Sequence, residues 1–539
     1  MSKTRKIFFI LLLAFFVFNL ATISDYGITW DEPAQHHVGK VAKDYLSGKT
    51  DKLEFQREDL IFYGPFFEIL NQYFGGWMMD IFGIGYANAF HILILIASAI
   101  GIFFLFKLAS LLFGERVALI SSVLLMLYPR FVAHSHYNPK DIPLFAFFTA
   151  TLYFLHRAFI ESKEYPSTSL DFARDKSLRV SATDSSMNLR SCFSAKADKK
   201  SVWFAGIFLG FGLATRADII LVLPVFFIPY LAYLIAEKRI CSDVIKKDAF
   251  LLVNMTSTAL ATVFIFWPTL WQNPKIFFES FGYFLNHGWD NSVFYLGQFY
   301  KAKELPWHYA PLYLAIATPV AMLVLIGFGL FNLAKKFKSD VFSVLLILTW
   351  AFLRIFFAMI PNAARYDGIR HFLMVVPAFM VIGALGFDFI LEKSKKIGAV
   401  IGVLILISLI VEFGRIYPFG DSYFNEITRI SAPKPLENYF ETEYWGASYK
   451  QGVDWINKNA DLNSKICVPM ADHLLQFYKI RQDIKIVCAG DSNYIMIMQR
   501  PSFWPSDLKG FIEDKKAYPV FEINRFNYNL LTILKIQPK

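Results

Sequence analysis

Long apolar segments recur along the first 413 residues, and they limit the fold more than any other feature of the chain. A helix needs roughly 20 mostly apolar residues to cross the hydrocarbon core of a bilayer. About eleven segments qualify by composition: 7–23, 87–112, 117–128, 142–160, 202–214, 218–236, 249–270, 309–333, 341–360, 371–391 and 397–413. With 55% hydrophobic and 18% charged residues, a soluble globular protein is excluded. The sequence predicts a mainly α, polytopic transmembrane helix bundle.

Lys and Arg are concentrated in alternate connections between these segments. The basic set is 1–6, 114–116, 161–201, 237–248, 334–340 and 392–396. The other set is 25–86, 129–141, 215–217, 271–308, 361–370 and the residues after 413. Because cytoplasmic connections are enriched in Lys and Arg, we expect a cytoplasmic amino terminus and the second set outside, in a plasma (inner) membrane. The net charge of +10 then reports orientation in a lipid bilayer, and no nucleic acid partner is expected.

The chain divides into a predicted transmembrane domain, 1–413, and a small extracytoplasmic α/β domain, 414–539. Within the first, 25–86 is an outer loop with surface helices, and 161–201 is a Ser/Lys-rich cytoplasmic loop predicted to be disordered. The periodicity of the tail predicts helices over 447–459 and 506–514 and strands over 465–469, 484–488, 494–498, 518–523 and 530–536. Cys467 and Cys488 fall on two of these strands. They are expected either to form a disulfide or to remain two buried thiols.

Two adjacent carboxylates, Asp31 and Glu32, follow the first apolar segment, where a membrane helix meets water. The segment 27–33 reads GITWDEP. One interpretation is that Asp31 caps the next helix, with Pro33 in its first turn. The other is that it is a general base beside the membrane.

The second outer connection, 129–141, reads PRFVAHSHYNPKD. The helix predicted before it, 117–128, would be only about 18 Å long, so this loop is expected below the outer surface, in a polar cavity lined by Lys140 and Asp141. Asp141 as a helix start is the simpler alternative. His134 and His136 could join a carboxylate on a divalent metal, but two histidines do not specify a metal site, and hydrogen bonding within the loop is the simpler expectation.

Arginines mark two further outer connections, 215–218 and 362–371, which read TRAD and NAARYDGIRH. Arg216 pairs with Asp218 in one interpretation. Arg365, Arg370 and His371 lie against the trend that places basic residues inside. Because Arg captures phosphate through two hydrogen bonds at once, we expect these side chains and Arg216 to bind phosphate.

Outer carboxylates and arginines on a lipid-accessible bundle suggest chemistry on a phosphate-bearing lipid. A polyprenyl phosphate leaves a sugar as a stable anion, which needs nearby positive charge but no general acid. The acceptor hydroxyl needs a base, supplied by a loop carboxylate, and a single displacement inverts the anomeric carbon. Aromatic residues such as Tyr63 would stack on sugar or prenyl, or only lie at the interface.

Several of these motifs resemble glycosyltransferase family 39-like proteins, the C-type, polyprenyl-phosphate-sugar-dependent membrane transferases that include protein O-mannosyltransferases and the aminoarabinose transferase of lipid A. The resemblance covers residues 1 to about 460 and rests on these sequences: DE at 31–32, YGP at 63–65, NPKD at 138–141, YDGIRH at 366–371, YP at 417–418, YFNE at 423–426 and YWG at 444–446. It implies that Asp31 is the base, Glu32 its neighbour and Asp141 a second acidic position. It also implies a polyprenyl-phosphate-linked sugar donor.

The resemblance leaves the acceptor open between protein, lipid and glycan, because the tail does not match the sugar-binding repeats of eukaryotic members. It leaves metal use open as well. A lipid-linked sugar transporter or flippase is the alternative function. It would show an internal repeat and charges in mid-span, as at Arg354, whereas most candidate residues lie at the outer ends of helices.

Overall fold

The computed structural model describes residues 1–161, 198–286, 289–487, 491–514 and 516–537. Most of the segment 161–201, predicted to be disordered, lies outside these residues. Cys488 lies outside them too, so its pairing with Cys467 remains a sequence-based alternative.

The described chain is mainly helical. Helices α1 to α20 cover, in order, Lys3–Ala21, Glu32–Leu46, Phe66–Phe82, Tyr86–Phe113, Glu115–Met126, Pro129–Tyr137, Asp141–His156, Lys199–Leu213, Val222–Ala236, Ser242–Phe266, Thr269–Gln272, Ile276–Asn286, Tyr309–Ile316, Val320–Lys336, Val341–Met359, Val376–Lys393, Lys395–Ile416, Glu426–Ser431, Tyr449–Asn459 and Leu508–Asp514. Strands β1 to β7 cover Ser292–Tyr295, Gln298–Lys301, Lys465–Cys467, Lys485–Ile486, Tyr494–Met498, Tyr518–Arg525 and Tyr528–Lys535.

Eight helical segments in the described ranges are long and apolar enough to cross a membrane, and ten if each of two bent helix pairs counts as one span. The predicted polytopic helix bundle is confirmed. The remaining predicted span, 202–214, forms α8, which has only 15 residues and a length of about 22 Å.

Helix α8 nevertheless runs alongside the whole of α7. Asp198, just before α8, lies 3.4 Å from Arg157, just after α7. At the other end Arg216, which follows α8, forms an ion pair with Asp141, the first residue of α7. The two helices are therefore antiparallel, and the short one delivers Arg216 to the start of the long one.

The prediction that 129–141 is a loop is wrong for most of its length, because Pro129–Tyr137 forms α6. Proline is tolerated in the first turn of a helix, where its missing N–H has no partner to lose, and α6 begins in this way. Helices α5 and α6 meet at a bend of 69°. After this bend and the short turn that follows α6, helix α7 starts in the protein interior at Asp141, of which only 3% is exposed.

Small residues allow the central helices to approach closely. Helices α14 and α16 pack together, and a methyl group added at Gly329 or Gly386 would overlap a backbone carbonyl of the facing helix. Such contacts are typical of membrane helices, which associate through packing because lipid gives no hydrophobic drive between them.

The Lys/Arg-rich connections meet at one end of the bundle. Arg5, near the amino terminus, lies 2.6 Å from Glu115 at the start of α5. Arg116 lies 3.0 Å from Asp388, near the end of α16. The ends of α7 and α8 that carry Asp141 and Arg216 face the opposite end, as the alternation of charge predicts.

Beyond α17 the chain forms a five-stranded sheet in the order β4-β3-β5-β7-β6. Strand β3 runs parallel to β4 and β5, and β7 runs antiparallel to β5 and β6. Helix α19 packs on this sheet through Val453 and Ile456, which are buried. The elements expected from the alternation of apolar residues are present, and the chain that leaves β5 turns toward the helix bundle at Arg500.

Candidate active site

A cavity of about 1140 Å³ lies at the end of the bundle where α8 ends and α16 begins. Its wall is built from the amino-terminal loop, the connection after α8, α12, α15, the connection before α16 and the C-terminal sheet region. Ligand pockets for one small molecule usually measure roughly 300–1,000 Å³. The cavity is slightly larger than this range.

Asp31 and Arg370 form an ion pair on this wall. Asp31 occupies the position before α2, but its carboxylate makes no capping hydrogen bond to that helix; it faces the guanidinium instead. Arg370 also lies 2.7 Å from Asp367 and 3.5 Å from Asp141, and 4.7 Å from the centre of the Trp445 ring. The structure thus brings together Asp31, Asp141 and Arg370 from three separate connections.

Asp141 is held behind this pair by a second arginine. Its Oδ1 pairs with Arg216, and its Oδ2 accepts a hydrogen bond of 2.9 Å from Asn138. Arg216 also lies 2.7 Å from Asp218, the pairing expected as an alternative. Burial lowers the pKa of Arg216, but the carboxylates of Asp141 and Asp218 outweigh it and the pKa stands above its usual value.

His371 completes this group through its Nδ1, which lies 2.8 Å from Nη2 of Arg216. Because a guanidinium can only donate, Nδ1 is the acceptor and carries no proton in this arrangement. Asp141 is almost fully buried and does not itself line the cavity, whereas Arg216 and His371 do. Asp141 therefore orients cations that a ligand can touch.

Lys140 is buried yet lines the cavity. Its Nζ lies 3.7 Å from Glu68 and 3.9 Å from the centre of the Tyr63 ring, and it has no hydrogen-bond partner among the described residues. Burial lowers the pKa of Lys140 to about 8, against the opposing effect of the Glu68 carboxylate. Burial likewise raises the pKa of Glu68. Lys140 is a cation with hydrogen bonds still to offer.

Glu32, predicted as a catalytic neighbour of Asp31, is turned away from the cavity. It is 0% exposed. One oxygen accepts hydrogen bonds of 2.7 and 2.9 Å from the amide and hydroxyl of Thr29, and the other lies 2.8 Å from Nε2 of His91. The structure places Glu32 in the protein interior, where it ties the amino-terminal loop to α4.

Arg365, predicted to bind phosphate, is also turned away from the cavity and bound to other groups of the protein. Its guanidinium donates to the backbone carbonyls of Leu305, Pro306, Ile360 and Ala363 at 2.7 to 3.2 Å. Only 3% of the residue is exposed. Arg365 therefore fixes the connection before α16 and does not reach the cavity.

His134 and His136 lie on α6, both fully buried. His134 contacts Asn138 at 3.0 Å and Tyr444 at 3.4 Å. His136 lies 2.9 Å from the carbonyl of Val132. No group of three or more His, Cys, Asp or Glu side chains in the described ranges is arranged to hold a metal ion. These histidines do not fit the metal site considered from the sequence, and hydrogen bonding accounts for them.

Several cavity residues were missed from the sequence. Asp367 lies between two arginines, 2.7 Å from Arg370 and 2.8 Å from Arg500. Arg500 follows β5, beyond the resemblance, and nothing in its local sequence marks it. Arg354 lies in the last third of α15, 3.6 Å from Asp218, and lines the cavity; in the sequence it stood out only as a charge within a predicted span.

The wall of the cavity thus carries more cationic side chains than carboxylates. The cations are Arg57, Lys140, Arg216, Arg354, Arg370 and Arg500, and the carboxylates are Asp31, Asp59, Asp218 and Asp367. Such a wall can stabilise the charge of a phosphate. Asp31, the most exposed of these four carboxylates, can take a proton from a hydroxyl beside it.

Comparisons with known proteins address the fold. The structure of ArnT from Cupriavidus metallidurans bound to undecaprenyl phosphate superimposes with a TM-score of 0.53 at 13% identity, over 99% of this chain and 98% of ArnT. The chain has the fold of the C-type membrane glycosyltransferases. The resemblance inferred from the loops is confirmed at this level.

Two more distant structures and one family model complete the comparison. The apo oligosaccharyltransferase of Archaeoglobus fulgidus matches at 13% identity over 87% of this chain and 60% of that one (TM-score 0.44). The S. cerevisiae protein O-mannosyltransferase Pmt1-Pmt2 complex bound to the sugar donor matches at 16% identity over 55% and 38% (TM-score 0.33). Residues 69–170 match the family model described as dolichyl-phosphate-mannose-protein mannosyltransferase. No curated protein sequence matches the chain.

Proposed function

We propose that this protein transfers a sugar from a polyprenyl phosphate to an acceptor hydroxyl on the extracytoplasmic side of the membrane. The observation that carries the proposal is the Asp31–Arg370 ion pair on the cavity wall. It sets a carboxylate and a phosphate-binding group side by side. The fold shared with ArnT, whose structure contains undecaprenyl phosphate, and the family model over 69–170 support the same class of donor.

The donor phosphate binds to Arg370, Arg216, Lys140 and His371. Arg370 and Arg216 offer planar pairs of N–H groups that match phosphate oxygens. Lys140 adds a cation whose Nζ has no hydrogen-bond partner in the described chain. Because the leaving group departs as a phosphate anion, these cations stabilise the charge that develops on its oxygen.

Donor binding prepares the base. Arg370 is shared among Asp31, Asp141 and Asp367. The donor phosphate is a diester with one negative charge shared by two oxygens, so it can accept both N–H groups of this guanidinium as a carboxylate does and competes with the carboxylates for it. As Arg370 turns to the phosphate, Asp31 loses its ionic partner and becomes available to the acceptor hydroxyl.

The reaction is a single displacement. The acceptor hydroxyl gives its proton to Asp31, and its oxygen forms a bond to the anomeric carbon. The bond from that carbon to the phosphate oxygen breaks, and its electron pair leaves with polyprenyl phosphate. Attack from the face opposite the leaving group inverts the anomeric configuration.

The extracytoplasmic location of the cavity is inferred from the distribution of Lys and Arg between the two ends of the bundle. The basic connections meet at the end of the bundle away from the cavity, and basic connections favour the cytoplasm. The amino terminus is then cytoplasmic, and the chain after α17 is outside.

The proposal is tested with the purified full-length protein in detergent, supplied with polyprenyl-phosphate sugars and an extract of envelope acceptors. We expect release of polyprenyl phosphate together with a new glycosylated product, both detected by mass spectrometry. A transporter has no membrane to cross under these conditions and would consume no donor. The donors to be tested are all the polyprenyl-phosphate sugars found in the cell's own pool. If none of them is consumed, the proposal that the protein is a transferase is refuted.

A further inference from the structure

One part of the cavity wall carries rings and amides. Its members, which we call the aromatic wall, are Trp30, Gln35, Trp289, His473, Gln476 and Phe503. The Phe503 ring centre lies 5.2 Å from that of Trp30 and 6.0 Å from that of Trp289. The aromatic wall thus joins the amino-terminal loop, the segment before β1 and the C-terminal sheet region into one surface.

Arg500 lies against the same rings, 4.3 Å from the centre of Phe503 and 5.2 Å from that of Trp30. Its charge is already matched by Asp367 at 2.8 Å and Glu441 at 3.8 Å. The aromatic wall therefore offers a ligand rings and neutral hydrogen-bonding groups, with one face of Phe503 covered by Arg500 and one face of Trp289 stacked on Tyr366 at 4.2 Å.

Gln35 provides an independent sign of a ligand. It lies on α2 and lines the cavity, and only 7% of the residue is exposed. Its side-chain oxygen is buried and has no hydrogen-bond partner among the described residues. A buried acceptor without a donor is costly, and an arriving hydroxyl would satisfy it.

We propose that the aromatic wall is the acceptor subsite and that the acceptor it binds is a saccharide. The inference rests on the proposed function, because Asp31 must touch the acceptor hydroxyl and Trp30 is its neighbour in the chain. The C–H groups on one face of a sugar ring pack on the negatively polarised face of an aromatic ring. Its hydroxyls donate to Gln35 and exchange hydrogen bonds with His473 and Gln476. A protein side chain offers only one hydroxyl and no such ring.

The test uses the full-length protein in lipid nanodiscs, immobilised and offered two probes. The first is the pool of oligosaccharides released by mild acid from the envelopes of cells that lack the protein. The second is the peptide pool from a proteolytic digest of the same envelopes. We expect the wild-type protein to retain oligosaccharides, as detected by mass spectrometry. Retention of peptides alone, or of neither pool, would overturn the inference.

Two variants on different elements locate the binding. Phe503→Ala removes a ring, and Gln35→Met keeps the length of the side chain without its amide. We expect each to weaken oligosaccharide retention by about tenfold. Trp77→Ala is the matched control, because Trp77 is 51% exposed on α3 and lies outside the cavity wall. Wild-type retention by both folded variants would contradict the assignment.

Binding of undecaprenyl phosphate is measured on every sample. We expect it to be the same in the wild type and in all three variants. If the wild type retains saccharides but not undecaprenyl phosphate, the proposed function fails, and the aromatic wall is a saccharide-binding site without an acceptor role. If it binds the lipid phosphate and the peptides only, the subsite assignment fails and the transferase proposal stands.

Discussion

Two groups of polar and charged side chains lie on either side of the amino-terminal loop. The cavity cluster consists of Asp31, Arg370, Asp141 and Arg216. The interior cluster consists of Glu32, Thr29 and His91. Asp31 and Glu32 are neighbours in the chain, yet the side chain of Asp31 is 35% exposed in the cavity and that of Glu32 is 0% exposed.

The clusters differ in what their charges are bound to. In the interior cluster both oxygens of Glu32 have fixed partners from the protein, so the carboxylate stabilises the fold. In the cavity cluster the ionic groups pair directly with one another at the cavity wall, and a ligand can replace one of the partners. Arg365 and Arg370 repeat this contrast, since one is bound to four carbonyls and the other to three carboxylates.

The largest expected effect separates the two adjacent carboxylates. Asp31→Asn should lower the rate of sugar transfer by about 10²–10⁴-fold, the usual contribution of a general base, without changing the melting temperature. Glu32→Gln should lower the melting temperature and leave the rate of sugar transfer unchanged, because the amide places an N–H₂ donor where the carboxylate accepted hydrogen bonds. Turnover assays and thermal unfolding of the same preparations check both. Comparable rates of sugar transfer in the two variants would contradict the assignment of different roles to Asp31 and Glu32.

The second effect concerns the two arginines. Arg370→Ala should weaken binding of undecaprenyl phosphate by about tenfold or more, because charge-assisted hydrogen bonds to phosphate are lost. Arg365→Ala should leave this affinity unchanged below its melting temperature and lower that temperature, because four backbone carbonyls lose their donor. Equal loss of lipid affinity in both variants would place Arg365 in the binding site after all.

A third prediction uses Lys140, which is buried like the interior cluster but lines the cavity. The pKa of Lys140 is lowered to about 8 by burial, so the side chain is charged below pH 8 and neutral above it. Affinity for undecaprenyl phosphate should therefore fall by about fivefold between pH 8 and pH 9. Lys140→Arg should bind without this decline, because guanidinium stays charged. The same decline in both proteins would exclude Lys140 as its source.

The smallest effect tests a buried carboxylate away from the cavity wall, Asp421. Burial, and next the charge of Glu443, raise its pKa to about 7, while Tyr137 and Arg130 oppose the shift. The folded state then holds a proton that the unfolded state loses near pH 4, so stability falls as pH rises from about 4 to about 7.

Asp421→Asn should remove this dependence. We expect a melting temperature at pH 8 that is several degrees higher than that of the wild type, and little change at pH 5. Thermal unfolding at the two pH values measures it. A variant less stable than the wild type at pH 8 would show that the Asp421 carboxylate is favourably paired.

The order of apolar and charged residues along the chain was sufficient to predict the architecture of the protein. Spans could be located because a bilayer demands about 20 apolar residues whatever the neighbouring helices are. The alternation of Lys and Arg separated the two ends of the bundle. The short strands after residue 464 could be found because alternation of buried and exposed side chains is a local property.

The bend between α5 and α6 could not be predicted in this way. A nine-residue segment with one Pro, two His and one Ser has weak local preference for a helix, and α6 forms because the protein buries every one of its residues. The site itself was partly accessible: Asp31, Asp141, Arg216 and Arg370 stood out as charges at the ends of membrane segments.

What the sequence by itself determined is which residues are charged at the outer ends of the spans. Only the tertiary structure decided which of them face the cavity. Asp31 and Glu32 differ by one position on the same loop, and α2 begins between them, so their side chains leave in different directions. Arg500 reaches the cavity because the sheet after α17 folds back over the bundle, and no local pattern encodes such a long-range contact.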